Sequence, residues 1–362
     1  MDYGIGIPSW INAYEEVQRA EAAGFTHAWF YDSQLIYSDV YAAMALAAHH
    51  TSTIKLGTLV AIPSNRIAPV TASAVASLNK LAPGRIILGI GTGYTGRNTM
   101  GLPAYPIKRY REYARQVRGL LDGEDVLYTD DVTGEERWIR LIHGQHSEFL
   151  NLDDYIPIYV AANGPRAMEV VGQVGDGWVT TGMGLNAEQG FPTIAAAAEA
   201  AGRSTEKPYT VGLTTGLVLK DGEDFDSDRI MRILGPGMVP GVHAMWEAAY
   251  GPGANLGMDN PDLAGEYHSY IREYSAQKGT PEDRLYLDVH EGHMVYLKPG
   301  EERFVFPQVL ERSLVGSGPE IIERLEHLES IGVDNVALTA NDPQGAREII
   351  DDFAREVIHK RG

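Results

Sequence analysis

The 362-residue chain contains no cysteine, which removes disulfides, thiolate catalysis, iron–sulfur ligation and cysteine-based zinc sites from consideration. Positive charge is also scarce. The 30 Lys and Arg face 49 Asp and Glu, a formal net charge of −19 that repels a phosphate backbone and argues against nucleic acid as a partner. The acidic excess is spread along the chain without long blocks of one sign, as on a solvated surface. No run approaches the roughly 20 apolar residues that cross a bilayer. The first residues, Met1 to Trp10, lack the basic and apolar regions of an export signal. A soluble, cytoplasmic protein with no membrane partner is therefore expected. A Gly-x-Ser-x-Gly elbow and a Walker phosphate loop are also missing, which argues against a serine hydrolase and a P-loop nucleotidase.

What is present is an alternation of short apolar runs with longer amphipathic stretches, the pattern of a strand followed by a crossover helix. Strands are predicted at Tyr3–Ile7, His27–Tyr31, Ile54–Val60, Arg85–Gly91, Pro157–Ala162, Trp178–Thr181, Thr210–Leu219 and Asn335–Thr339. Helices are predicted at Ala13–Ala23, Val40–His49, Pro69–Leu81, Ile107–Leu121, Arg166–Val174, Ala187–Ala201, Pro319–Ser330 and Gly345–Ile358. Eight such units close into an α/β (β/α)8 TIM barrel. The open doubly wound alternative lacks its glycine-rich turn at the first strand–helix junction, Ile7 to Tyr14. Asp122–Leu152 breaks the rhythm with charged and turn-rich sequence. A single domain over residues 1–362 is expected, with a long insertion after strand seven at about 220–318, read either as a substrate cap or as a packing or dimerisation element.

Several motifs carry chemistry or mimic it. Residues Ile86–Gly93, IILGIGTG, run an apolar strand into Gly89, Gly91 and Gly93; the spacing admits close backbone approach by a flat ring or phosphate, and serves a tight turn equally well. Ile156–Pro165, IPIYVAANGP, ends a strand and opens a helix with proline in its first turn. The amides around Ala161, Ala162, Asn163, Gly164 and Pro165 thus form a candidate phosphate cradle, with Asn163 also placed to cap the helix. The next strand leaves through Thr181 and Gly182, and the two exits together form a two-sided phosphate cup.

Asp32, with Ser33 and Gln34, stands at a strand end where barrel enzymes place reactive groups; bracing a loop is the plainer role. His290 and His293, in HEGH, are three apart where the zinc-protease signature needs four. No metal is assigned, and the pair is read as lining the cap side of a substrate pocket or as structural. Trp246, Tyr250, Tyr267, Tyr270 and Tyr274 fall at helical spacing, which favours core packing over an aromatic ligand wall.

The order of WFYDSQ, LGTLVAIPSNRIAPVTASAVASL, LAPGRIILGIGTG, IPIYVAANGPRAMEVVGQVGDGWVTTG and SGPEIIERLEHLESIGVDNVAL resembles the bacterial-luciferase-like superfamily, and within it the deazaflavin-dependent branch of methylenetetrahydromethanopterin reductase-like enzymes. The resemblance covers nearly the whole barrel and the insertion only in outline. It implies a cofactor, coenzyme F420 or alternatively FMN, with its phosphate near AANGP and its ring against a non-prolyl cis peptide at Leu59–Val60. Gly91, Thr92 and Gly93 would complete the cofactor wall. Family members that oxidise sugar phosphates carry a catalytic His and Glu where this chain has Gln34 and Tyr94, and the reductases carry His where it has Ser33. Asp32, Gln34 and Tyr94 are left as the catalytic candidates. Three readings follow: an F420-dependent oxidoreductase moving hydride to or from a small organic substrate, an FMN-dependent monooxygenase fed by a separate flavin reductase, and a flavin-binding protein without chemistry. The family also implies a homodimer.

Overall fold

The computed structural model describes residues 1–130, 132–144, 146, 148–181, 187–251 and 260–361. In chain order its strands are β1 (Asp2–Ile7), β2 (His27–Phe30), β3 (Lys55–Thr58) and β4 (Ile86–Ile90), then β5 (Val126–Thr129) and β6 (Glu136–Ile139), then β7 (Ile158–Ala161), β8 (Gly177–Thr181) and β9 (Tyr209–Thr214), then β10 (Gly216–Val218) and β11 (Leu314–Gly316), and finally β12 (Asn335–Thr339). Eight of them close a barrel in the order β1-β12-β9-β8-β7-β4-β3-β2, every neighbouring pair parallel. The TIM-barrel expectation is met strand for strand.

The helices around the sheet are α1 (Tyr14–Ala22), α2 (Val40–His50), α3 (Ala68–Leu81), α4 (Tyr94–Asn98), α5 (Ile107–Leu121), α6 (Pro165–Val174) and α7 (Ala187–Ala200). The insertion carries α8 (Asp228–Met238), α9 (Pro240–Tyr250), α10 (Pro261–Lys278) and α11 (Leu285–Val289), and α12 (Gly318–Ser330) and α13 (Pro343–Phe353) return to the barrel. Local chemistry sets their starts. The Asp39 carboxylate accepts from the amides of Tyr41 and Ala42 to open α2, and Ser317 with Glu320 forms a capping box on α12.

The barrel interior is filled by aromatic rings: His27 stacks on Trp29, and Tyr159 packs against both Trp29 and Tyr209. Trp29 is wholly buried and fits because β1 and β3 present Gly4 and Gly57 to it; a methyl group at either would run into the indole. Those glycines are counterparts of one large residue.

Two segments differ from expectation. Asp122–Leu152, read as irregular, contains the antiparallel hairpin β5–β6, whose half-exposed residues leave little hydrophobic pattern to read. Thr210–Leu219, read as one strand, breaks near Thr215: β9 stays in the barrel, whereas β10 leaves it to pair in parallel with β11. Both halves are apolar because both are buried, so periodicity could not reveal the break. Between β10 and β11 the inserted helices surround a core of their own, including Val242, Trp246, Tyr267, Tyr270, Ile271 and Phe304, apart from the main core cluster of the barrel. Trp246, Tyr267 and Tyr270 are thus packing residues, and Tyr250 is exposed and stacks on His268. No helix among the described residues is long and apolar enough to cross a membrane.

Candidate active site at the barrel mouth

β3 ends at Thr58, and the chain then bulges before rejoining β4 at Ala61, whose amide donates to the Gly89 carbonyl at 2.8 Å and whose carbonyl accepts from the Gly91 amide at 3.1 Å. The bulge contains the Leu59–Val60 peptide, which is cis. Gly91 lacks a side chain because the Val60 methyls lie there, and Gly93, with φ +76°, lies against Ile62. The glycines of IILGIGTG therefore make room for the chain's own bulge, and the Gly91 amide is already bonded. The Thr92 carbonyl accepts from the Tyr105 amide at 3.0 Å.

Above this bulge opens a cleft of about 780 Å3, lined by Tyr31, Asp32, Tyr37, Leu59, Val60, Tyr94, Leu213 and Met294 among others. Its walls come from the C-terminal ends of β2, β3, β4, β9 and β12, the barrel face that carries chemistry in this architecture. Met294 belongs to the insertion, which therefore supplies part of the cleft wall. Among the described residues no Lys, Arg or His lines the cleft.

Asp32 is the one carboxylate of the lining among the described residues and is almost wholly buried. It accepts from the Ile62 amide at 3.2 Å, and the Arg66 guanidinium stands 3.7 Å away. Burial outweighs that cation and holds the Asp32 carboxyl above the usual carboxylate range. The Tyr37 hydroxyl is buried without a hydrogen-bond partner among the described residues. Burial, with the Glu247 charge nearby, keeps the Tyr94 phenol protonated well above its ordinary range. Gln34 is placed differently: it accepts from Asn65 at 2.8 Å, donates to the Gly96 carbonyl and lies outside the cleft lining. It braces the α4 turn.

At the AANGP segment the Ala162 amide donates to Val179 at 3.0 Å and its carbonyl accepts from the Trp178 indole at 2.7 Å. Ala162 is therefore sheet and packing, not cradle. Asn163 does not cap α6. Its side-chain oxygen accepts from the Thr181 amide at 3.1 Å and the Thr180 hydroxyl at 3.3 Å, tying β8 to the turn. What stays open is the Gly164 and Arg166 amides at the exposed start of α6, neither with an acceptor among the described residues, beside Pro165, which has none to offer. A methyl at Gly164 would meet nothing within 4 Å. Arg166 adds a cation that the sequence reading passed over; its place two residues after Gly164, in the first helical turn, was the available signal. Gly182 lies outside the described residues.

His290 and His293 do not line the cleft. Both are buried in the insertion beside His243, their rings turned toward each other, and His290 also bonds the Glu247 carboxylate. The HEGH spacing gave no hint of His243, because the three meet only through the packing of α9 against the α11 turn.

Residues 2–335 match the luciferase-like monooxygenase family, and the chain belongs to it. Over 191 residues it is 35% identical to the 5,10-methylenetetrahydromethanopterin reductase of Methanolobus tindarius, a stretch that is 52% of this chain and 56% of that protein. Over 224 residues it is 33% identical to the F420-dependent hydroxymycolic acid dehydrogenase of Mycobacterium tuberculosis, covering 57% of this chain and 58% of that one. The matched stretches thus span little more than half of these relatives. In three dimensions it superposes on the coenzyme F420 dependent tetrahydromethanopterin reductase from Methanopyrus kandleri with a TM-score of 0.65 at 23% identity, covering 99% of both chains. That likeness is one of fold.

Proposed function

We propose that this protein is an F420-dependent oxidoreductase that transfers a hydride between the deazaflavin and a small, uncharged organic substrate. The observation that carries the reading is the cleft: an apolar floor of Leu59, Val60 and Leu213 and, among the described residues, one buried carboxyl group and no cationic lining residue. Relatives that share up to 35% of matched residues are named for reductases and dehydrogenases of this cofactor class. The residues present fit such a group. The bulge offers a flat apolar surface, the Tyr37 hydroxyl lacks a partner, and the open Gly164 and Arg166 amides with the Arg166 side chain suit an anionic tail at a helix start.

Bound F420 supplies a two-electron carrier that passes hydride at C5. The chain's own residues then position and protonate. Asp32, whose carboxyl is held above the ordinary carboxylate range by burial, is placed in the cleft wall to exchange a proton with the substrate, and Tyr94 stays a neutral donor in the same wall. The lack of a basic lining residue leaves a sugar phosphate without a counter-charge, in keeping with Gln34 and Tyr94 where sugar-phosphate dehydrogenases carry His and Glu. A reading without chemistry loses its support, since the insertion leaves the cleft open.

Titration of the purified protein with F420 and, separately, with FMN tests the assignment. Saturable F420 binding is expected; tight FMN binding with none of F420 overturns it in favour of a monooxygenase supplied by a flavin reductase. Asp32→Asn is expected to bind F420 normally and to lower turnover by about 10²–10⁴-fold, the usual contribution of a general acid or base, with the limb of the wild-type pH profile that Asp32 sets abolished.

A further inference from the structure

We propose that His243, His290 and His293 form a binding site for a divalent transition metal, zinc above all, that fastens the insertion over the barrel mouth. The three rings converge: His243 Nδ1 lies 3.1 Å from His293 Nδ1, which lies 3.4 Å from His290 Nδ1. One ligand nitrogen from each of the three falls within 4.8 Å of the others. Zinc bound tetrahedrally at about 2.0–2.1 Å places its ligand nitrogens about 3.3–3.4 Å apart, so the rings already stand at ligand spacing.

The outer groups match a metal site as well. His290 Nε2 donates to Glu247 Oε1 at 2.6 Å and His243 Nε2 donates to Glu301 Oε1 at 3.1 Å. A carboxylate that takes the Nε2 proton leaves Nδ1 as a lone pair and fixes the ring, the arrangement that metal-bound histidines adopt. Two such lone pairs are aimed at His293 Nδ1, which has at most one proton to give. At least one stays unmatched unless a cation lies between them.

The charge balance points the same way. Glu247 and Glu301 are buried, and Lys298, paired with Glu301 at 2.5 Å, offsets only one of them. Glu247 Oε2 is buried with no partner among the described residues. A divalent ion neutralises the remaining negative charge and satisfies three imidazoles at once.

The site ties the insertion to the cleft. His293 Nε2 meets the Thr95 hydroxyl at 3.3 Å, and both Thr95 and the next residue in the chain, Met294, line the cleft wall. The three histidines are thus positioning residues, and the reading does not depend on which cofactor the barrel holds.

The test uses the full chain produced without a histidine tag, stripped with a chelator, incubated with zinc and desalted. About one zinc per chain is expected to remain by elemental analysis, with a raised melting temperature; cobalt is expected to give visible ligand-field bands of a low-coordinate site. His243→Ala and His293→Ala should abolish retention, Glu247→Gln should weaken zinc binding about 10–100-fold, and the exposed His327→Ala should change nothing. Wild-type protein that retains no zinc, melts unchanged and gives no cobalt bands overturns the proposal. So does retention that survives paired substitution of His243 and His290. If the histidine variants fail to fold, wild-type stoichiometry and the cobalt spectrum still decide.

Discussion

The barrel interior and the core of the insertion are both closed to water, yet they are filled by opposite means. Inside the barrel, rings are stacked on rings and glycines yield the space: Trp29 lies over Gly4 and Gly57, flanked by His27 and Tyr159. In the insertion the centre is ionic. Lys298 and Glu301 are sealed from solvent, two imidazoles, those of His243 and His290, bond Glu301 and Glu247, and Tyr267 donates to Glu301 at 2.7 Å. A barrel shared by many chemistries needs volume and shape, which apolar groups supply. An insertion that must hold one position over a cleft gains specificity from groups that are costly when misplaced.

Removing the barrel's largest filler is the strongest way to test this contrast. Trp29→Ala is expected to lower unfolding free energy by about 3–5 kcal/mol, the usual cost of emptying a buried aromatic site, measured by urea denaturation. A loss below about 1 kcal/mol would mean that the interior collapses around the gap. Glu301→Ala leaves the Lys298 amine buried without its partner. The Val289 and Glu291 carbonyls still accept from that amine, so about 3 kcal/mol is expected, the low end for a broken buried pair. The loss should be confined to the insertion, with Trp246 fluorescence changing while far-ultraviolet dichroism of the barrel persists.

Gly57→Ala sharpens the barrel side from the other direction. Its new methyl meets the Trp29 ring, and overpacking of about 1–3 kcal/mol should follow; pairing it with a smaller residue at position 29 should recover part of it. Per pH unit, the smallest effect is that of acid. His27 is held down to about 4 by burial, and in the unfolded chain it titrates near 6.5. Between those values the unfolded chain binds the extra proton. Stability is therefore complete above pH 6.5 and falls as pH drops, by at most about 1.4 kcal/mol per pH unit for each such histidine. Urea denaturation between pH 6.5 and 4 should show that loss; stability that does not change across this range would break the contrast.

The barrel was legible because its strands are short apolar runs separated by capped helices, a pattern in which each element's character is local. The Leu59–Val60 bulge was legible only through resemblance to known relatives. Its neighbours Gly91 and Gly93 read as ligand-facing and proved to accommodate Val60 and Ile62. At AANGP the sequence marked a helix start correctly, but it did not show that the Ala162 amide belongs to the sheet or that Asn163 reaches sideways to Thr181. Those assignments depend on which strand lies alongside.

The sequence by itself determined the eight strand–helix units, the place of the insertion and the strand end at which Asp32 stands, because hydrophobic period and capping chemistry act over a few residues. Only the tertiary structure decided that β10 leaves the barrel, that Gln34 braces a turn while Tyr37 faces the cleft, and that His243 meets His290 and His293. Contacts between residues far apart in the chain depend on how helices and strands pack. Nothing in the local order of side chains records that packing.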